Sequence, residues 1–243
     1  MTHSFKANNK KVNKMSTTKQ GEFERKYHHI DAPTVQDEDY VKEFKTRKLT
    51  LPRNKNNQYR ETLLYQLQMT PWQFKRKLDG ENLRIFWDGE QALWNGKSDR
   101  FQCGSELTDF MNNTFIEEIF EEKFGRDKKV YFFGEHMGPK SQGNELGLTK
   151  SEFVLYDVNI NGSWLPGENI KEVAKYFNIK TCYDFMQEKE LCEFTGTLYD
   201  LINDTADGRF KEWEGIVATP CVECRYQNGD RVIVKIKNRD YLR

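Results

Sequence analysis

The octet Lys77-Leu78-Asp79-Gly80-Glu81-Asn82-Leu83-Arg84 constrains this chain more than any other stretch. It reads as a small-residue turn entering a strand, Asn82 to Trp87, which Asp88-Gly89 then turns back towards a second strand, Gln91 to Trp94. Asp-Gly between two apolar runs is a strong hairpin signal, because glycine readily supplies the positive φ that a tight reversal needs. The octet therefore places one lysine just ahead of a turn at the lip of an antiparallel sheet. Taken alone it is a charged hairpin lip. With polar partners gathered around it, the same lysine can act as a nucleophile.

Apolar residues make up a modest 37%, but aromatics at 14% allow 243 residues to build one good-sized core. Charged residues reach 31% and cancel to a formal net charge of zero. Bulk charge thus announces no nucleic-acid partner, and any basic surface must be local. No apolar run approaches the length of a membrane span, and no apolar stretch follows the basic N-terminus as in a signal peptide. The expectation is a cytoplasmic monomer (host cytoplasm if viral), neither secreted nor bound to a membrane. Five scattered cysteines, Cys103, Cys182, Cys192, Cys221 and Cys224, are odd in number and suggest no disulfide framework. Cys221 and Cys224 have metal-ligand spacing but no second pair to complete a zinc site.

Residues 1–20 carry Lys6, Lys10, Lys11, Lys14 and Lys19 without an acid, as expected of a flexible basic tail. An exposed, loop-rich lead-in from Lys42 to Arg60 follows, and order becomes firm near Pro71. Leu107 to Phe124 has apolar residues at helical spacing and predicts one amphipathic helix. Lys129 to Gly134 and Glu152 to Asn159 read as strands, with Asn161-Gly162 turning the second back towards Trp164. Asn169 to Phe177 and Gly196 to Asn203 read as helices, and Gly215 to Thr219 as a strand. Val222 to Tyr226 is expected to pair with Arg231 to Lys237 across Asn228-Gly229. Strands joined by hairpins and interrupted by three helices indicate an α+β domain over residues 21–243, with its core motifs in 71–243. There is no internal repeat and no Rossmann or Walker glycine loop.

Short polar clusters sit at the ends of these strands: Lys77 with Asp79, Gly80 and Asn82; Phe133-Gly134-Glu135; Tyr156-Asp157; Glu214-Gly215; and Lys235-Ile236-Lys237. In the last, alternation sends both lysines to one face of the strand. Together the clusters offer Glu135, Asp157 and Glu214 as three acids able to hold a divalent cation, and Lys77, Lys235 and Lys237 as three lysines able to surround a phosphate chain.

In order and spacing these clusters resemble the covalent nucleotidyltransferases, the superfamily of ATP-dependent ligases and mRNA capping enzymes. The resemblance covers roughly Pro71 to the C-terminus. Lys77 matches the motif I nucleophile of Lys-x-Asp-Gly, Glu135 motif III, Tyr156-Asp157 motif IIIa, Glu214-Gly215 motif IV, and Lys235 with Lys237 motif V. Asn82 stands where DNA ligases and capping enzymes usually carry an arginine. The resulting Lys-x-Asp-Gly-x-Asn is similar to the RNA ligases that seal nicks in duplex RNA. Arg25-Lys26-Tyr27-His28-His29-Ile30 also resembles their opening segment. Lys75-Arg76 departs from the glutamate those ligases often place before the nucleophile.

The resemblance implies an adenylyltransferase fold, ATP-grasp-like, of mostly antiparallel sheets flanked by helices, here without the C-terminal OB or helical domain of most relatives. It implies an ATP-dependent RNA ligase with Mg²⁺ (or Mn²⁺) that acts on nicked or broken RNA strands. A minimal DNA ligase, a GTP-using capping enzyme and a non-catalytic nucleic-acid-binding relative are the alternatives. Lys77 would take AMP. Asn82 would hold a water on the metal, and Glu214 would bind the metal or orient Lys77. Glu135 would contact the ribose, Tyr156 would stack on the base, and Lys237 would neutralise the α-phosphate. Asp79, Gly80 and Asp157 go with the nucleotide-binding motifs, and Lys97 or Arg100 would engage the ribose or phosphate. An isolated lysine is almost wholly protonated at neutral pH. Lys235, Lys237 and a bound metal would favour the neutral amine that attack requires.

Overall fold

The computed structural model describes residues 27–34, 60–97, 101, 103–139, 147–186 and 196–241. The basic tail, the lead-in up to residue 59, Cys192 and Arg100 lie outside the described residues. The described elements run α1 (Thr62–Leu67), β1 (Pro71–Lys77), β2 (Glu81–Trp87), β3 (Ala92–Gly96), α2 (Ser105–Thr114), α3 (Glu117–Phe124), β4 (Val130–Met137) and β5 (Glu152–Ile160). They continue with β6 (Ser163–Trp164), α4 (Gly167–Tyr176), β7 (Lys180–Thr181), a 3₁₀ turn (Cys182–Phe185), β8 (Gly196–Thr197), α5 (Leu198–Ala206), β9 (Gly215–Pro220), β10 (Val234–Lys237) and α6 (Asn238–Tyr241).

These strands form two sheets, one ordered β10-β9-β1-β8 and the other β3-β2-β4-β5-β6, with β7 alongside β5. Every pairing between named strands is antiparallel except β5 with β7. The expected α+β class of antiparallel sheets flanked by helices is the one found. No described helix is long and apolar enough to cross a membrane.

Side-chain alternation decides what each sheet face does. In the larger sheet, Leu83 and Ile85 of β2, Phe132 of β4 and Leu155 of β5 bury against α2, α3 and α4 through Met111, Phe120 and Val173. In the smaller sheet, Trp72 and Phe74 of β1, Ile216 and Ala218 of β9, and Val234 and Ile236 of β10 bury against Leu198, Leu201 and Ile202 of α5. Both sheets thus spend one face on helices. Their other faces carry Lys75, Lys77, Lys235 and Lys237 on one side and Asn82, Arg84, Glu135 and Tyr156 on the other.

Three expectations need correction. The helix predicted over Leu107 to Phe124 is two, because Phe115 (φ −110°, ψ 65°) and Ile116 (φ −83°, ψ 147°) leave helical geometry. Asn112, Asn113 and Thr114 are weak helix formers, and Thr114 Oγ1 donates back to the Phe110 carbonyl at 2.7 Å. The break seats Phe115 among Phe120, Phe132, Phe153 and Phe177, its ring centroid 5.2 Å from that of Phe153.

The predicted hairpin across Asn228-Gly229 shrinks to one bridge between Arg225 and Arg231, and β10 pairs with β9 instead. Val234 and Ile236 have a core to enter beside β9, whereas Val222 on the other arm is 76% exposed and has nothing to bury against. Thirdly, Gly196 and Thr197 are not helical but pair with β1 as β8. Thr197 then caps α5, its Oγ1 accepting from Asp200 N at 3.1 Å. β1 itself is a strand the sequence reading missed, since Lys75, Arg76 and Lys77 hide its alternation behind charge.

Candidate active site

Strand register brings the lysines together. Val217 of β9 is the Cα partner of Lys75 on one side and Lys235 on the other, and Gly215 is the partner of Lys77 and Lys237. The four lysines therefore share one face in two rows. Gly215 keeps the middle of the second row open: a Cβ there would lie 2.2 Å from the Ile236 carbonyl oxygen. Just before it, Glu214 receives the Lys77 ammonium on Oε2 and the Lys237 ammonium on Oε1, the latter at 2.5 Å. The turn that presents Glu214 is pinned by Asn238, whose side-chain amide donates to the Phe210 and Trp213 carbonyls at 2.6 and 2.5 Å.

Asn82 and Glu135 are Cα partners across β2 and β4 and face these lysines from the larger sheet. Gly80 lets the turn after Lys77 close on β4, since a Cβ there would lie 2.5 Å from the His136 carbonyl oxygen. Asp79, in the same turn, is exposed. The β4–β5 register shifts after Phe133, from Phe133↔Asp157 to Gly134↔Leu155, and skips Tyr156. This bulge breaks the two-residue alternation, so Leu155 and Val158 both reach the helix-side core while Tyr156 and Asp157 both turn to the opposite face.

Between the sheets lies a cavity of about 320 Å³, in the size range of small-molecule sites. Lys77, Asn82, Lys97, Glu135, Tyr156 and Lys235 line it, joined by Lys75, Arg84, Val217 and Cys182. Tyr27, His28, His29 and Ile30 close another side. Their segment runs along the sheet edge, where Asp31 bridges Val234 and its carbonyl accepts from Lys235 N at 3.0 Å.

Charges in the cavity are perturbed by burial and by each other. Glu135 keeps some solvent exposure as a residue, but its Oε2 is buried and has no hydrogen-bond partner. Burial pushes this carboxyl up to about 8, against the pull of Lys77. Burial would also raise Glu214, but the hydrogen bonds from Lys237 and Lys77 outweigh it and hold the carboxyl below its ordinary value. Lys235 is lowered by burial and then by the neighbouring Lys237 ammonium.

Asp157 is not among the cavity-lining residues. Its carboxylate accepts from Lys75 at 3.1 Å and from both terminal nitrogens of Arg231, at 3.3 and 2.7 Å, and takes the Tyr27 hydroxyl as well. Burial works to raise this carboxyl, but the Lys75 and Arg231 charges hold it well below the usual range.

The family model for RNA ligase matches residues 70–237, well over half of the sequence. The chain belongs to the RNA ligase family. Two solved structures resemble its fold. One is Naegleria gruberi RNA ligase with PPi, 16% identical, with a TM-score of 0.50 over 77% of this chain and 54% of that one. The other is a variant of the same enzyme with AMP and Mn, 13% identical, with a TM-score of 0.51 over 87% and 57%. The chain thus spans a little over half the length of these proteins. No curated protein matches its sequence.

Within this RNA ligase fold, Lys77, Lys237 and Glu214 meet, and Asn82, Glu135, Tyr156, Lys97 and Lys235 share the cavity. Sequence reading missed Lys75, Arg84, Cys182, Val217 and Arg231 as parts of the site. Lys75 alone left a signal, being two residues before Lys77 and therefore on the same strand face.

Proposed function

We propose that this chain is an ATP-dependent RNA ligase acting through a lysyl-AMP intermediate. One observation carries the reading: Lys77 stands at the edge of a cavity with lysines on its own sheet and, on the facing sheet, a buried carboxyl oxygen without a partner. A triphosphate needs that cationic wall, because phosphoryl-type transfer rests on charge neutralisation and in-line positioning. A ribose hydroxyl would satisfy Glu135 Oε2, and an aromatic face such as Tyr156 suits a purine. The similar Naegleria structures hold AMP with Mn, or PPi, and so add support.

In the first step the Lys77 amine attacks the α-phosphorus of ATP. A phosphoramidate N–P bond forms, the α–β anhydride bond breaks, pyrophosphate leaves, and the amine loses a proton. AMP then passes to a 5′-phosphate end. A 3′-hydroxyl attacks that end, joining the strands and releasing AMP. Lys237 and Lys235 offset the charge of the phosphates, and Glu214 orients Lys77.

Hard divalent cations take oxygen ligands, and Mg²⁺ is commonly bound by one or two protein groups plus substrate phosphates. Among the described residues no group of three or more His, Cys, Asp or Glu could hold such an ion unaided. The amide oxygen of Asn82 and the carboxylate of Glu214 fit the remaining role, and they would hold Mg²⁺ or Mn²⁺ directly or through water. When bound, the ion would polarise the α-phosphate.

Incubation with α-labelled ATP or GTP and Mg²⁺ tests the reading. Covalent label from ATP, absent in Lys77→Ala, is expected. No label from either nucleotide would sink it, and label from GTP alone would shift it to a capping-type enzyme. Nicked duplexes with RNA or DNA on the 3′-hydroxyl side then test the strand preference, with sealing expected for RNA.

A further inference from the structure

Arg76 and Lys77 are neighbours on β1, and alternation sends their side chains to opposite faces of the smaller sheet. Trp213 and Glu214 are likewise neighbours, in the turn that leads into β9. On the cavity side Lys77 meets Glu214. On the other side the Arg76 guanidinium lies 5.4 Å from the centroid of the Trp213 ring, which packs against the helix-side core. Two adjacent residues of one segment thus grip two adjacent residues of the other, once by an ion pair and once by a cation over an aromatic face.

The ladder between β1 and β9 begins only at Gly215, so Glu214 stands just outside it. Asn238 anchors the backbone of the turn from one side, its amide donating to the Trp213 carbonyl at 2.5 Å and its N–H to the Glu214 carbonyl at 3.1 Å. Rings anchor the side towards β1. Phe74 meets Phe210 at a centroid distance of 5.2 Å, and Phe210 stacks on Trp213 at 5.3 Å. Phe74 and Arg76, two residues apart on one strand face, therefore close a row that runs Phe74, Phe210, Trp213, Arg76 behind the nucleophile. Indole offers the best aromatic face to a cation, and a planar, weakly hydrated guanidinium is well suited to stack on it.

We infer that Arg76 is a positioning residue for the nucleophile: its stack on Trp213 sets the turn so that the Glu214 carboxylate receives Lys77 and Lys237. The inference rests on the lysyl-AMP reading and adds to it a group that acts through Glu214 rather than on the nucleotide.

Arg76→Met keeps a long side chain and removes the charge, whereas Arg76→Lys keeps the charge. The expected result for Arg76→Met is lysyl-adenylate formation slower by about two- to fivefold, the scale of one cation over an aromatic face, at unchanged ATP KM. Arg76→Lys should recover most of that rate. In a Glu214→Gln background Arg76→Met should cause no further loss. Site-specific replacement of Trp213 by mono-, di- and trifluorotryptophan nearly keeps the ring's shape while draining its negative face. The rate should then fall stepwise with fluorine count and stay level in Arg76→Met, and the series on the wild-type background serves even where Arg76→Met misfolds. An unchanged rate in Arg76→Met, a level fluorotryptophan series in the wild-type background, or a full further loss beside Glu214→Gln would overturn the inference. So would a raised ATP KM, the sign that Arg76 acts on the nucleotide from the cavity wall it also lines. A wild-type protein that takes no label at all would instead refute the parent reading.

Discussion

The Lys75 ammonium lies 3.1 Å from Asp157 Oδ1, both side chains nearly shielded from solvent at 11% and 3% exposure. This pair ties β1 of the smaller sheet to β5 of the larger one across the cavity. Arg231 and Tyr27 meet the same carboxylate, and the Arg231 guanidinium lies 4.2 Å from the Trp164 ring centroid. The cavity's walls are therefore joined by a buried charge cluster rather than by apolar packing alone.

Removing the anion should expose that dependence. Asp157→Ala leaves two buried cations without their shared partner and is expected to cost about 3–5 kcal/mol, measured by urea unfolding at neutral pH. Because the folded-state pKa is depressed, the stability from Asp157 is present above its unfolded value of about 3.9 and is lost as pH falls through the lower folded value. The variant should accordingly lack that part of the wild-type acid transition.

Glu135 should behave in the opposite sense. Its carboxyl titrates near 8 in the folded chain and near 4.3 in an unfolded one, so the folded state holds a proton that the unfolded state has released over about pH 4.3–8. Stability should fall as pH rises through that window. Glu135→Gln should melt at a higher temperature than wild type above pH 8 and show a flatter pH profile between 5 and 8. Thermal melts of both proteins from pH 5 to 9 make the comparison.

Gly215 is where strand geometry and chemistry meet. In Gly215→Ala the new methyl would lie 2.2 Å from the Ile236 carbonyl oxygen and 2.7 Å from Lys237 Cα, so β9 and β10 must part. The expected cost is about 1–3 kcal/mol in a thermal or urea melt. Covalent labelling should fall more than this, because the same shift moves Lys237 away from Lys77.

The break between α2 and α3 predicts contrasting costs at adjacent positions. Phe115→Ala empties a site ringed by four phenylalanines and should cost about 3–5 kcal/mol. Ile116→Ala, at a residue 39% exposed, should stay within about 0.5 kcal/mol. The contrast follows from the burial of Phe115, 5% exposed, beside the half-open Ile116. Urea titrations of the two variants decide it.

The sequence by itself determined what short-range chemistry can specify. Asp88-Gly89 marks the β2–β3 reversal, Asn161-Gly162 the β5–β6 reversal, and alternation in Val234–Lys237 places Lys235 and Lys237 on one face. Each depends on backbone dihedrals and side-chain period within a few residues. The motif residues Lys77, Asn82, Glu135, Tyr156, Glu214 and Lys237 were legible for the same reason, as local patterns at strand ends.

Only tertiary structure decided the rest. Lys75 stood out in the sequence only as a departure from the family pattern, and its role came from Asp157, 82 residues away. Tyr156 and Asp157 should alternate across a regular strand, and only the register slip against β4 puts both on the site's face. The hairpin across Asn228-Gly229 stays paired only near its turn, where Val232 N donates to the Cys224 carbonyl at 2.8 Å, because β10 found a core beside β9. In each case the deciding free energy comes from burial and charge pairing between distant segments, which propensity and periodicity along one stretch do not contain.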